Sequence, residues 1–268
     1  MWNAETVGRA SSPCMRALEC PMKKLPVAAL FLLAAAVTGC SSVESGDLET
    51  SGINAAIEVR PRADGSATDV TASLTAGALT FVDLDGDDKL VASSGDVSAD
   101  MEESNLLGAV NYAAVLNGIN TAGDIVTVAF QRGEGKDPAP SSTVRLPEQV
   151  TMTAPEASAS FSRANDDITV TLESPDSEDP VRLSWSGECV QEGGLDLPAG
   201  QTSATINKGT ILKREPADEN DPDTQPIPDT CTIQITASRR VTGTLDPAWG
   251  GGGITSVTSS SRDVTSNP

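Results

Sequence analysis

The sequence predicts an all-β protein made of two consecutive β-sandwiches behind an apolar leader. Three observations predict it. Short segments alternate apolar and polar residues at period two, with Val and Thr recurring in them. Turn signals separate these segments at regular spacing: Ala63-Asp64-Gly65, Asp85-Gly86, Ser94-Gly95 and Asn117-Gly118. Beyond the leader there is no sustained helical stripe; Glu103–Gly118 is the one stretch where a short helix competes with a strand.

Residues 1–39 contain the leader. From Met22 the chain reads Met-Lys-Lys, an apolar run (Leu25–Val37) and Thr38-Gly39-Cys40. A charged start, a short apolar core and a small-residue cleavage site make an export signal; the run is too short and wrongly flanked to span a membrane. Trp2–Pro21 form no recognisable start, and Met15 or Met22 makes a more normal one. Val37-Thr38-Gly39-Cys40 resembles the bacterial lipobox. That resemblance implies cleavage before Cys40, lipid on its thiol, and attachment to a membrane through the N-terminal lipid. Ser41, where an Asp is absent, resembles the pairing that sends enteric lipoproteins to the outer membrane, facing the periplasm or the surface. Residues 40–52 are polar and small and are expected to be a flexible lipidated tether.

The first sandwich is expected over residues 53–133. Its strands are Ala55–Arg60, Thr68–Leu74, Ala78–Val82, Lys89–Ser93, Val97–Glu102, Val110–Leu116 and Asp124–Phe130. Seven strands at such spacing suit a sandwich. Gly, Pro and charge in Arg132–Ser142 read as a linker, set at residues 134–146.

Residues 147–268 are expected to form the second sandwich, with strands Gln149–Ala154, Asp167–Glu173, Val181–Ser186, Thr202–Asn207, Cys231–Arg240 and Gly253–Arg262. VRLSWSGEC sets Trp185 near Cys189 and resembles an immunoglobulin-like core, although both cysteines follow the tryptophan. The disulfide is therefore expected to pin a loop instead of joining two sheets. FSRANDDITVTL, DPVRLSWSGEC and TGTLDPAWGGGGIT are similar to two-domain lipoproteins of Gram-negative envelopes, a resemblance that implies fold and location and no activity. Gly250–Gly253 read as a flexible hairpin tip.

Cys14 and Cys20 fall in or before the leader, leaving Cys189 and Cys231 in the folded region. An even pair in an exported chain reads as a disulfide. It closes a loop rich in Pro and Asp (Arg214–Thr230) that can bury little apolar surface.

Charge and composition exclude several functions. The formal net charge is -20, and an acidic surface repels phosphate backbones, so no nucleic-acid partner is expected. The chain has no histidine. Ser-His-Asp and Cys-His catalysis are thereby removed, with the commonest transition-metal ligand. Aromatic residues are 3% of the chain, too few to line a glycosidase cleft around paired carboxylates.

The sharpest candidate site is Phe81–Leu90, where Asp83, Asp85, Asp87 and Asp88 offer hard oxygen ligands of the kind Ca²⁺ takes. The spacing is not that of an EF-hand, and a hairpin turn on Asp85-Gly86 accounts for the same residues. Asn165-Asp166-Asp167 and Ser174–Pro180 are expected as acidic loops at opposite ends of the second sandwich. The expected function is a non-catalytic envelope lipoprotein that binds or spaces an envelope or surface partner. A Ca²⁺-dependent adhesion module is the alternative, and an envelope hydrolase working without histidine is a further one.

Overall fold

The computed structural model describes residues 41–78, 80–106, 109–173, 178–216 and 225–268, without the side chains of Ser41 and Leu106. Cys40 and the leader lie outside them. The architecture is all-β: among the described residues there is no α-helix.

The strands are β1 (Ser41–Glu44), β2 (Asn54–Pro61), β3 (Ala67–Ala76), β4 (Thr80–Asp83), β5 (Lys89–Ser94), β6 (Val97–Asp100), β7 (Glu102–Leu106), β8 (Ala109–Asn117) and β9 (Ile125–Gln131). There follow β10 (Ala139–Arg145), β11 (Thr151–Ala154), β12 (Ser160–Ser162), β13 (Ile168–Glu173), β14 (Val181–Gly187), β15 (Gly193–Leu197), β16 (Ser203–Ile206), β17 (Cys231–Thr242) and β18 (Gly251–Asn267). Every strand expected from the alternation has its counterpart. In Glu103–Gly118, where a helix competes, the described residues are β7 and β8, paired antiparallel.

One 11-stranded sheet runs through the molecule in the order β1-β4-β3-β2-β18-β17-β14-β15, with β8 and β7 continuing from β3 and β12 beside β18. Two smaller sheets cover it: β10-β9-β5-β6 and β11-β13-β16. The first smaller sheet packs Leu90, Val126, Val128 and Phe130 against Val59, Val70, Leu74 and Tyr112 of the large sheet. Met152, Val170 and Ile206 of the second pack against Leu183, Trp185, Ile233 and Val264. The result is two hydrophobic cores, each between two sheets.

The division between them differs from the expected one in three ways. Residues 134–146 are not a linker, because β10 lies there and pairs with β9. Its Pro140 is accommodated because β10 is an outer strand whose register shifts between Ala139 and Ser142. Secondly, β18 is shared. Its first residues, Gly251–Ser256, pair in parallel with β2 of the first core, and its last, Ser160's neighbour Thr265 among them, belong to the second. Of Gly250–Gly253, expected as a flexible tip, Gly251–Gly253 therefore start a strand. Gly252 has φ of 111°, and a Cβ there would collide with the Ala55 carbonyl, so only glycine lets β18 approach β2.

Thirdly, the tether is folded. β1 pairs in parallel with β4 from Ser41 onwards, and two 3₁₀ turns, Ser45–Asp47 and Thr50–Gly52, follow with Ser45 and Thr50 buried.

Where the cores meet, β17 carries an arginine on its inward face. The alternation is unbroken from Cys231 to Val241, and Arg239 fills the inward position between Ala237 of one core and Val241 of the other. Its Nη1 donates to the Glu148 carbonyl at 3.0 Å, as does Thr258 Oγ1 from β18. The segment crossing between the two smaller sheets is thus fastened to the long hairpin. Burial holds the Arg239 guanidinium below its ordinary pKa, with Glu148 and Asp179 opposing the shift.

Candidate functional site

Two constructions stand out, one at each end of the large sheet. The first is built on the aspartate cluster. Ser45 Oγ donates to Asp85 Oδ1 at 2.9 Å and Asp88 Oδ2 at 2.8 Å, and the Gly46 amide donates to Asp85 at 2.7 Å. Asp88 also receives Arg132 Nε at 3.0 Å, Arg132 Nη2 at 2.8 Å and the Gly133 amide at 2.8 Å. The Arg132–Asp88 pair is sealed from water, with side chains 0% and 5% exposed.

Arg132 spends its remaining donors on the segment after Cys40. Nη1 reaches the Leu48 carbonyl at 3.0 Å and Thr50 Oγ1 at 3.1 Å, and Nη2 reaches the Ser45 carbonyl at 2.6 Å. Thr50 Oγ1 donates to the Asp137 carbonyl. Beneath the guanidinium, 4.9 Å away, lies the Phe130 ring, which stacks on Trp249 at 5.0 Å. Trp249 Nε1 donates to Ser142 Oγ at 3.1 Å. A continuous column thus ties the N-terminal segment to the β10 and β18 ends of the first core.

The electrostatics follow from these bonds. The Gly46 amide and Ser45 hydroxyl hold Asp85 below the ordinary carboxylate range. For Asp88, burial pushes the pKa up, but Arg132, the Gly133 amide and Ser45 outweigh it, and the net shift is downward.

Of the expected calcium ligands Asp83, Asp85, Asp87 and Asp88, two are engaged within the protein. Asp85 and Asp88 point their oxygens at donors of the protein itself. Among the described residues no three His, Cys, Asp or Glu side chains are grouped to hold a metal ion. Asp85-Gly86 does form a turn, with the Asp88 amide donating to the Asp85 carbonyl at 3.0 Å and Gly86 at φ of 60°, but it is not the expected hairpin, because it carries the chain from β4 in the large sheet to β5 in a smaller one.

The second construction is at the other end. Cys189 and Cys231 form a disulfide with Cα atoms 5.8 Å apart. It joins the loop after β14 to the start of β17, two neighbours in one sheet, and so pins a loop. Residues 217–224 of the enclosed segment lie outside the described residues. Arg163 is buried against the bridge: Nη1 donates to Ser266 Oγ at 2.8 Å and lies 3.9 Å from Cys189 Sγ, and Nη2 donates to the Asp229 carbonyl at 2.9 Å. Asp166 accepts from the Ser162 amide and Asp167 from the Lys208 amide, each at 2.7 Å, so both cap loops at this end. An open pocket of about 300 Å³ is lined by Gly187, Val190, Gln191, Glu192 and Arg214. Of Ser174–Pro180, residues 174–177 lie outside the described ones, and Asp179 pairs with Arg145 at 2.5 Å.

Ser45, Thr50, Arg132, Arg163 and Arg239 were not singled out by motif. For Arg239 a signal existed, its parity with Ile233, Ile235 and Val241. Arg132, in RGEGK, carries none.

No family model matches the chain, and no curated protein matches it. Among solved structures, it aligns with a two-domain fibronectin type III segment from chicken tenascin. That likeness has 12% identity and a TM-score of 0.22, covering 78% of this chain and 98% of that one. The all-β architecture given above rests on the hydrogen-bonded ladders themselves.

Proposed function

We propose that the chain is an exported bacterial envelope protein held by lipid on Cys40, whose body is a non-catalytic module that presents or spaces a binding surface. The lipobox residues Val37–Cys40 support the anchor. The observation that carries the second half is the single large sheet. It begins at Ser41, directly after the lipid site, and runs through shared β17 and β18 to the disulfide-pinned loops. A sheet shared by two cores resists bending between them, which suits a spacer better than a pair of hinged domains. The polar groups inside the body support the same reading: half-buried Asp85 and the enclosed side chains of Asp88, Arg132, Arg163 and Tyr112 each bond to protein groups that fix loops.

The test is Cys40→Ala in the natural host. Loss of labelled fatty acid from the protein, with its release from the membrane fraction, is the expected result. A variant that still takes up label and still sediments with membranes contradicts the anchor.

A further inference from the structure

The register places the two ends of the molecule relative to Cys40. Ser41 lies opposite Thr80, Thr80 opposite Ala76, Thr75 opposite Asn54, and Asn54 opposite Gly251. These residues form one line across the large sheet, at the end where β18 begins. β1, β4, β2 and β18 all run the same way from that line, since β1 parallels β4, β2 parallels β18, and β3 is antiparallel to both its partners. At the far end Asn267 lies beside Ser162, Ser266 opposite Cys231, and Gly187 opposite Ile233. The 17 residues of β18 cover about 55 Å at roughly 3.3 Å per residue.

No slack separates Cys40 from this body. The next residue is already in the sheet, and the chain beyond β1 is locked by the sealed Arg132–Asp88 pair through Ser45, Leu48 and Thr50. We infer that the lipid on Cys40, which rests on the reading above, carries the body on a stub without slack, so that it stands away from the bilayer with the disulfide-pinned loops outermost. Charge acts in the same sense: a chain of formal net charge -20 is repelled when laid along anionic headgroups.

The experiment uses the full lipidated protein, reconstituted in phosphatidylcholine–phosphatidylglycerol vesicles with quencher on the lipid headgroups. A fluorescent amino acid is placed at exposed Ala78, in the turn before Thr80, or at exposed Lys208, in the turn after β16. Ala78 fluorescence is expected to be lost and Lys208 fluorescence kept. Inserting about a dozen Gly and Ser residues after Cys40 gives the body a flexible tether without touching the fold, and Ala78 is then expected to regain signal as the acidic body moves off the anionic surface. Equal quenching at both positions in the native-length protein overturns the inference while leaving the lipid anchor standing. A protein that fails to float with the vesicles overturns both.

Discussion

Replacing Arg132 with Met tests whether the aspartate cluster exists to fasten the N-terminal segment. The side chain keeps much of its stem over Phe130 but loses its bonds to Asp88, Ser45, Leu48 and Thr50. Asp88 is then a carboxylate 5% exposed with only the Gly133 amide and Ser45 hydroxyl left. Removing one partner of a buried ion pair costs about 3–5 kcal/mol. Urea unfolding reports it directly, because Trp249 stacks in the first core and Trp185 lies in the second. Both probes should shift together, since β17 and β18 bind the cores into one sheet. Arg132→Met combined with Asp88→Asn should lose less than the sum of the single changes, as neither buried charge is then stranded. The pH dependence has a definite sign. Asp88 has a depressed folded pKa, so its contribution is complete above the ordinary carboxylate value of about 4 and is lost as pH falls through the lower folded value. Asp88→Asn should flatten that acid limb. A loss below about 1 kcal/mol in Arg132→Met, the range of exposed ion pairs, would mean that the pair does not fasten the N-terminal segment.

Other expectations follow from the same contacts. Removing the disulfide by Cys189→Ala with Cys231→Ala should cost up to about 4 kcal/mol, seen as a lower urea midpoint; an unchanged midpoint contradicts its role in holding the loop. Tyr112, the single tyrosine, donates to the Val82 carbonyl and accepts from the Leu84 amide, both at 2.9 Å. Tyr112→Phe should cost about 1–3 kcal/mol because a buried amide and carbonyl lose their partner. Burial raises its pKa far above the ordinary value, so phenolate absorbance should appear only with alkaline unfolding. Adding Ca²⁺ or a chelator should leave the thermal midpoint unchanged, because Asp85 and Asp88 already accept protein donors; a midpoint several degrees higher with Ca²⁺ would restore the adhesion reading.

Alternation made the strands legible, since inward residues such as Ile233, Ile235 and Ala237 repeat at period two. It could not show how they pair. β18 reads as one polar Thr- and Ser-rich strand, and nothing local in Gly251–Ser256 announces a parallel partner almost two hundred residues earlier in the chain. The tether and linker were misread for a related reason. Gly, Ser, Pro and charge mark solvated loops on average, yet Ser45, Thr50 and Arg132 are buried because each completes the bonding of another buried group. Local composition reports a segment's own preferences and is silent about a salt bridge whose partner lies 44 residues away. The aspartate cluster was legible as a feature, and its turn too; its chemistry depended on donors that no spacing rule places beside it.

The proposed anchor places lipid at the residue preceding β1, carrying the folded body. Its most direct test is the mass of the N-terminal peptide from protein purified out of host membranes. A chain beginning at Cys40 with acyl chains on that residue is expected. An N-terminus elsewhere, with Cys40 absent or its thiol free, would contradict it.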